Sequence, residues 1–335
     1  MSDRQEKQQG NCLPMDIISL YYFSELAKEP HMTRTAERLF ISQQTLSNHI
    51  QRLERQLGCQ LFERKPSLTL TYAGEQVLVF AKRVLREQVN LQDILADVQD
   101  QRRGYIRFGA STLRMNACLP YILPIFSEEY PQVELEIFDR NSQVLEPLIT
   151  SGELDYALVA GKEYADPEQA PDLCRELLLR DPVFLCVTDA VLQRYLGDRA
   201  AAAVEASRNG AALRMFADVP FLMFDNRLGK RIMRRFEEAG VRPRTYIRAP
   251  YTQAITRIGL QGTAAFFSTG VILSSFKEEI PDDLHVFPLL KGEEQLYQEI
   301  YLLRSRSRYT PAYAARFLDL LRDCFREIKL EHNET

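Results

Sequence analysis

The chain has 335 residues, of which 45% are hydrophobic and 26% charged, with a formal net charge of -4 and no tryptophan. This is too long for one small core and enough for a short module plus a larger domain, and the mild acidity is unusual for a protein that holds nucleic acid by bulk charge. No run of about 18 apolar residues is present to span a membrane, and the opening MSDRQEKQQGN lacks the apolar centre of a secretory signal, so residues 1–14 read as a polar tail and the expected location is cytoplasmic.

Ile17, Leu20, Phe23, Ser24 and Ala27 fall at helical spacing and predict a first helix. From Met32 to Gly58 the apolar spacing breaks once and resumes. Ala36, Leu39 and Phe40 lie at i, i+3, i+4, and Leu46, Ile50, Leu53 and Leu57 continue on a second segment. Both seams are expected to face one small core, with Phe40-Ile41-Ser42 as the turn and Ser42 capping a helix that begins at Gln43. The pattern is a helix-turn-helix. Its second helix carries Gln43, Gln44, Thr45, Ser47, Asn48 and Gln51 outward, short uncharged groups suited to base edges in the major groove. Thr33, Ser42 and Arg52 at the margins join them as candidate DNA contacts. An ordinary surface hairpin is the bland alternative, although Glu and Lys would be commoner there. Cys59 to Leu70 predicts two short strands around a basic, proline-marked tip. Arg64 and Lys65 at that tip either meet phosphate or a minor groove, or are simply solvated.

These segments resemble the N-terminal pattern of LysR-type transcriptional regulators. The matching runs are Thr33 to Leu39 (TRTAERL), Ile41 to Ser47 (ISQQTLS), Ile50-x-x-Leu53-Glu54, Leu57-Gly58, Leu61 to Arg64 (LFER) and Leu70-Thr71-x-Ala73-Gly74. The chain departs at Gln44 and Thr45, where the family usually has Pro and Ala. Gln44 gives up the preset backbone angle of proline in the first helical turn and gains a hydrogen-bonding side chain. The resemblance implies a winged helix-turn-helix over residues 15–74 that binds double-stranded DNA. Met15 to Gly74 carries seven basic against six acidic side chains, so specific binding is expected to rest on a few placed contacts, doubled in a dimer.

After Thr71, a candidate N-cap, an uninterrupted helix is predicted from about Ala73 to Arg102, with no Gly or Pro between Glu75 and Arg103. Val77, Val84, Leu91 and Val98 stand seven apart, with Phe80, Ala81, Leu85, Ile94 and Leu95 beside them, the rhythm of a helix paired with another helix. Glu87 and Gln88 interrupt this seam and are expected to fix register. Packing on its own module is the alternative. In the resembling family this element, residues 75–103 here, is the linker helix that pairs two subunits. Self-association to a dimer, and to a tetramer, is therefore implied.

From Tyr105 onward short apolar strands alternate with amphipathic helices, which argues for α/β layers with parallel strands. Strands are expected at Ile106–Ala110, Val133–Phe138 and Tyr156–Val159, with helices from Thr112 through Pro131 and over Gln143–Thr150. Gly104-x-Ile106-Arg107-x-Gly109, Leu119-Pro120-x-x-Leu123-Pro124, Tyr130-Pro131-x-Val133 and Gly152-Glu153-Leu154-Asp155 resemble the effector domain of the same regulators. That resemblance implies a two-lobed fold like type 2 periplasmic binding proteins over residues 104–330. The expected class is thus α+β multidomain. Strands at Pro182–Val187, Pro220–Phe224, Thr245–Arg248 and Ala264–Phe267, with helices at Gly229–Ala239 and Tyr251–Leu260, make up a second lobe, about 181–275. The first lobe, about 104–180 and 276–330, recovers Leu284–Phe287 and Tyr297–Leu303 as strands and Pro311–Ile328 as a helix. The segment 191–209 reads as an extra loop or helix without a functional account.

Ligands of open α/β sheets bind beyond the C-terminal strand ends, where helix N-termini favour anions. Ser111 and Thr112 follow the first strand there, and Asn141 and Ser142 the second. Asp225, Asn226, Arg227, Tyr251, Thr252, Ser268 and Thr269 face them as candidates for a small polar or anionic effector, although such residues also cap helices. Glu163, Asp166 and Glu168 near the rim would oppose anions.

No phosphate-loop, dinucleotide or zinc-protease motif is present, and His31, His49, His285 and His332 are scattered, so no catalytic residue, metal site or cofactor is expected. Cys12, Cys59, Cys118, Cys174, Cys186 and Cys324 lack metal spacing. Thiol-based redox sensing, for instance through Cys174 and Cys186, is the rival on the same scaffold, and an enzyme is the more distant one. The expectation is an effector-responsive transcriptional regulator with DNA, itself, a small effector and the transcription machinery as partners.

Overall fold

The computed structural model describes residues 15–63, 67–99, 103–161, 172–250 and 252–333. Arg64, Lys65, Tyr251, Glu163, Asp166, Glu168 and the 1–14 tail lie outside the described residues. The chain divides into two compact units, Met1–Gln101 and Arg102–Thr335.

In the first unit α1 (Ile17–Lys28), α2 (Met32–Arg38) and α3 (Gln43–Leu57) enclose Leu20, Phe23, Leu26, Ala36, Leu46, Ile50 and Leu53. Local chemistry sets the helix starts: Asp16 Oδ1 accepts from Ser19 N at 2.6 Å, and Ser42 Oγ from Thr45 N at 3.0 Å. Phe40 corrects its expected place in the core. It is 96% exposed with φ +55°, the left-handed conformation that reverses the chain after α2. Ile41 N donates to Ala36 O and Phe40 N to Glu37 O, each at 3.0 Å, the two bonds of a Schellman motif in which glycine usually takes Phe40's position. An ion cluster ties α1 to α2, because buried Glu25 accepts from exposed Lys28 at 2.7 Å and also from exposed Arg38.

β1 (Phe62–Glu63) and β2 (Thr69–Leu70) form the antiparallel pair of the wing. Glu54 Oε1 fixes its approach by accepting from Leu61 N at 2.9 Å. α4 (Tyr72–Val98) starts under Thr71, whose Oγ1 accepts from Gly74 N at 2.9 Å. A Cβ on Gly74 would stand 2.1 Å from Leu61 O, so only glycine lets the helix pass this strand. Val77 and Val84 pack on the module's own core around Ala81, whereas Leu91, Ile94, Leu95 and Val98 are exposed. The predicted seam thus divides into a half that packs locally and a half left open. The helix stops at Val98, short of Arg102, and Arg103 already belongs to a strand.

The second unit opens with β3 (Arg103–Ala110), α5 (Thr112–Glu129), β4 (Gln132–Asp139), α6 (Ser142–Ser151) and β5 (Tyr156–Ala160). β3 pairs in parallel with β4 and β5. β6 (Leu173–Thr188) then runs through both lobes, and α7 (Asp189–Leu196), α8 (Ala200–Ser207), β7 (Pro220–Phe224), α9 (Arg227–Glu238), β8 (Arg244–Ala249), α10 (Thr252–Leu260), β9 (Ala265–Thr269) and α11 (Gly270–Ser275) follow. β10 (Leu284–Pro288), the small hairpin β11 (Leu290–Lys291) and β12 (Glu294–Gln295), β13 (Tyr297–Ser305) and α12 (Ala312–Asn333) complete the chain. Along the sheet the order is β4-β3-β5-β13-β6-β9-β7-β8, with β10 also on β6.

In the first lobe α5 and α12 cover one sheet face and α6 the other. The second lobe has its own core, to which the unassigned 191–209 segment contributes Val191, Leu192, Leu196, Ala200 and Ala203 through α7 and α8. Asp155 of the first lobe is buried on Arg107, which donates to it at 2.8 Å and 2.9 Å, so this acidic motif is structural.

Two expectations about the lobes change. Pro182–Val187 is only the far half of β6, whose near half pairs with β13 and whose far half pairs with β9 and β10. Pro182, which can give no N–H to a ladder, sits where one set of partners hands over to the other. The return to the first lobe occurs at Tyr297 rather than Ser275. β10 pairs with β6 from Leu284↔Thr188 to Pro288↔Phe184, and Phe287, Leu289 and Leu296 fill the second lobe's core.

Candidate functional site

On α3, Gln43, Gln44, Thr45, Asn48 and Gln51 are exposed and Ser47 is half-buried. They are not loose. Thr33 Oγ1 donates to Gln43 Oε1 at 3.3 Å, Gln44 Nε2 to Asn48 Oδ1 at 3.0 Å, and Gln51 Nε2 to Ser47 Oγ at 3.2 Å. The two i, i+4 pairs on α3 and the bond from α2 order a polar face in advance and lower the entropy lost on binding. Ser42 serves as the cap of α3, and Arg52 turns back onto the module, paired with Asp16 and donating to Ser19 Oγ at 3.1 Å. Two of the residues picked from the sequence as DNA contacts therefore have structural work as well.

In the second unit the C-terminal ends of β3, β4, β7 and β9 open on a cavity of about 460 Å³ with walls from both lobes. Ser111, Thr112, Asn141, Ser142, Asn226, Arg227 and Thr269 line it; Ser268 does not. Ser268 is buried on β9 and Thr252 opens α10. Several lining groups are already engaged. Thr112 N and Oγ1 both donate to the Asp139 carboxylate, at 2.9 Å and 2.6 Å, so the N-terminus of α5 has an internal anion. Asn141 Oδ1 caps α6 by accepting from Gln143 N at 3.0 Å, Asn226 Oδ1 caps α9 by accepting from Gly229 N at 3.1 Å, and Ser142 Oγ accepts from Ala160 N at 2.8 Å. Arg227 reaches from α9 across the cleft, donating to Glu146 Oε1 at 2.7 Å and to Ala160 O at 2.8 Å.

Sequence reasoning missed Arg114, Asp181 and Gln298, which line the same cavity. Arg114 stands in the first turn of α5, three residues after Ser111, and that i, i+3 step was the available signal. Its Nη1 donates to Ser111 Oγ at 3.1 Å, while its Nε is shielded and has no partner among the described residues. Burial pushes the guanidinium down to about 10, against the pull of nearby Asp181, so it stays charged at neutral pH. Asp181 Oδ1 accepts from Val271 N at 3.1 Å. Asp181 and Gln298 face each other across the β6–β13 ladder, a register that no local pattern announces.

The cysteine pair raised as a redox rival is not built. Cys174 and Cys186 lie toward opposite ends of β6, about 40 Å apart at the rise of an extended strand, far beyond disulfide reach. Burial also pushes the Cys186 thiol well above its ordinary range.

A model of the LysR substrate binding domain matches residues 99–326, and one of the bacterial regulatory helix-turn-helix protein, lysR family, matches residues 17–75. An uncharacterized HTH-type transcriptional regulator of Bacillus subtilis, YcgK, is 23% identical over 326 residues, 93% of this chain and 96% of its own. The HTH-type transcriptional activator IlvY of Salmonella typhimurium is 33% identical over 178 residues, which span 53% of this chain and only 59% of the relative. A full-length OxyR variant from Pseudomonas aeruginosa superposes with a TM-score of 0.65 at 22% identity, covering 93% of this chain and 98% of that chain. The last likeness is one of fold.

Proposed function

The chain belongs to the LysR family of transcriptional regulators, and from that premise we propose a division of labour within it. Residues 15–74 read DNA through Gln43, Gln44, Thr45, Ser47, Asn48 and Gln51, with Arg64 and Lys65 on the phosphates. Residues 75–103 pair two copies along Leu91 and Val98, and pairs assemble to tetramers. Residues 104–330 hold a small effector between the lobes. The regulator works in the cytoplasm, and its DNA-bound form meets the transcription machinery. An effector that prefers one lobe arrangement shifts the population toward it, and only that difference in affinity can alter promoter contact.

The observation that supports this reading most is the cavity itself, because its walls come from both lobes and its volume of about 460 Å³ suits a small metabolite. The test is a thermal-shift screen of metabolites acted on by the products of neighbouring genes, followed by fluorescence anisotropy on promoter duplex. A stabilising compound is expected to change operator affinity or footprint. Stabilisation with both unchanged would refute the regulatory role of the cleft.

A further inference from the structure

Strand-to-helix geometry alone would seat an acidic ligand group on the N-terminus of α5. Asp139 already occupies that position, holding Thr112 N and Oγ1, and a second carboxylate beside it would be repelled. The receptive cation stands in the same first turn, two residues after Thr112. The Arg114 guanidinium makes one hydrogen bond, to a neutral hydroxyl, and enters no ion pair within 4 Å among the described residues. Its shielded Nε is unpartnered. Two further groups on the same cavity share this condition: Thr269 Oγ1, in a residue 3% exposed, and Gln298 Oε1, in a residue 4% exposed. Folded proteins leave few buried polar atoms unsatisfied, so three on one cavity mark a place that a ligand completes. The remaining wall includes Leu179, Val271, Ile300 and Phe325, which suit an apolar body.

We propose that the cleft takes a small monocarboxylate with an apolar body, its headgroup seated on the Arg114 guanidinium with the Thr269 hydroxyl as a further donor. This deepens, and rests on, the reading of the cleft as an effector site. A single charge is favoured over a dianion because Asp139, Asp181 and Asp225 line the cavity and offset its other arginines, Arg140 and Arg227, the latter already paired with Glu146. Arginine's planar fork matches a carboxylate's two oxygens, and Gln298 Oε1 leaves an acceptor for a hydroxyl or amino group on the ligand.

The test is calorimetry on the full chain with acetate, hexanoate, hexanamide and inorganic phosphate. Both carboxylates should bind saturably, hexanoate more tightly, and the amide and phosphate should not. Arg114→Gln should weaken hexanoate by about ten- to a hundredfold, the loss expected for a hydrogen bond to a charged group. Arg114→Lys keeps the charge without the fork and should fall between. Thermal melting checks folding. Should Arg114→Gln fail to fold, the lysine variant and the preference for acid over amide decide. Equal binding of amide and acid, preference for phosphate, unchanged affinity in the folded Arg114 variants, or no saturable carboxylate binding would each overturn the proposal. A neutral or cationic effector that alters operator affinity would sink this headgroup assignment and leave the cleft reading intact. Arg114-dependent acid binding with no metabolite changing operator affinity would do the reverse.

Discussion

Glu146→Gln should loosen the two lobes of the effector unit. Arg227 joins α9 of one lobe to α6 and the end of β5 in the other through its bonds to Glu146 Oε1 and Ala160 O, at 2.7 Å and 2.8 Å. Both side chains are only 13% exposed, which sets the scale. An exposed pair contributes about 0–1 kcal/mol, and breaking a fully buried one costs about 3–5 kcal/mol. A shielded pair at the cleft edge falls between, at about 2 kcal/mol, or about thirtyfold in the equilibrium between lobe arrangements. The amide keeps the size of the carboxylate, so the loss reports the charge. Spin labels at exposed Thr150 and Lys230, in a background with Cys12, Cys59 and Cys174 replaced by serine, would read the distance between lobes by double electron–electron resonance. A narrow wild-type distribution should broaden to longer distances in Glu146→Gln. Adding Arg227→Met to both backgrounds completes a double-mutant cycle. If the distribution keeps its wild-type form, or the coupling lies within about 0.5 kcal/mol of zero, the ion pair does not hold the cleft and the crossing strands alone set its geometry.

Asn48→Ala or Gln43→Ala should lower the preference for operator over scrambled duplex, by about 1–3 kcal/mol if the lost contact is bidentate, while Arg64→Ala weakens both duplexes alike; unchanged ratios in both glutamine and asparagine variants across salt would dismiss the readout assignment. Leu91→Asp with Leu95→Asp places charge on residues 55% and 49% exposed, so sedimentation should show monomer with the module still folded, and a wild-type mass would put the dimer seam elsewhere. Phe40→Gly removes a left-handed aromatic whose ring is almost wholly exposed and should stabilise the DNA module by about 1 kcal/mol; a lower melting temperature would contradict the strain. For Glu25, burial alone would raise the carboxyl, but hydrogen bonds and charges from Lys28 and Arg38 outweigh it and hold the group below its ordinary 4.5. A depressed carboxylate stabilises the fold fully above the unfolded value and loses that stabilisation as pH falls through the folded one. Acid unfolding below about pH 4.5 should therefore flatten in Glu25→Gln, measured by circular dichroism; a parallel acid limb would show that the cluster contributes nothing.

Features set by neighbours in sequence were legible. Ser42 and Thr71 cap helices because a hydroxyl three residues before an N–H is a local matter, and the seams of α1 to α3 follow from helical period. Features set by distant partners were not. β6 reads as one short strand because its near half, Leu173 to Arg180, shows no inside–outside alternation and is held by its pairing with β13, and β10 falls to the wrong lobe because its partner lies about a hundred residues earlier in sequence. Phe40 was misread for a different reason. An apolar residue at i+4 extends a helical pattern on paper, whereas the chain had already turned and needed a positive φ there. In the cleft, polar loop residues after strands are found, but Asn141 and Asn226 serve as helix caps and Thr112, Ser142 and Arg227 are held by other internal bonds, since these roles and ligand binding ask for the same side chains. Arg114 was passed over because arginine in a helix is ordinarily a solvated residue, and nothing short of its burial distinguishes it.

The crossing strands constrain how an effector could act. β6 and β13 form an antiparallel ribbon up to Tyr297↔Pro182, after which β6 takes β9 and β10 as partners. Sliding this ribbon by one residue would turn each of its side chains to the opposite face, so the lobes are limited to bending where the partners change, at Asp181–Val183 and Leu296–Tyr297. Asp181 stands at that bend. It accepts from Val271 N of α11 in the second lobe, faces Gln298 in the ladder, and draws on the field of Arg114 in the first lobe. An anion seated on Arg114 would share that field and weaken the hold of the guanidinium on Asp181, while its body packs on Val271 beside the same hydrogen bond. Ligand contact and hinge electrostatics are then one interaction. On that proposal the binding energy would differ between lobe arrangements in the way that a population shift requires.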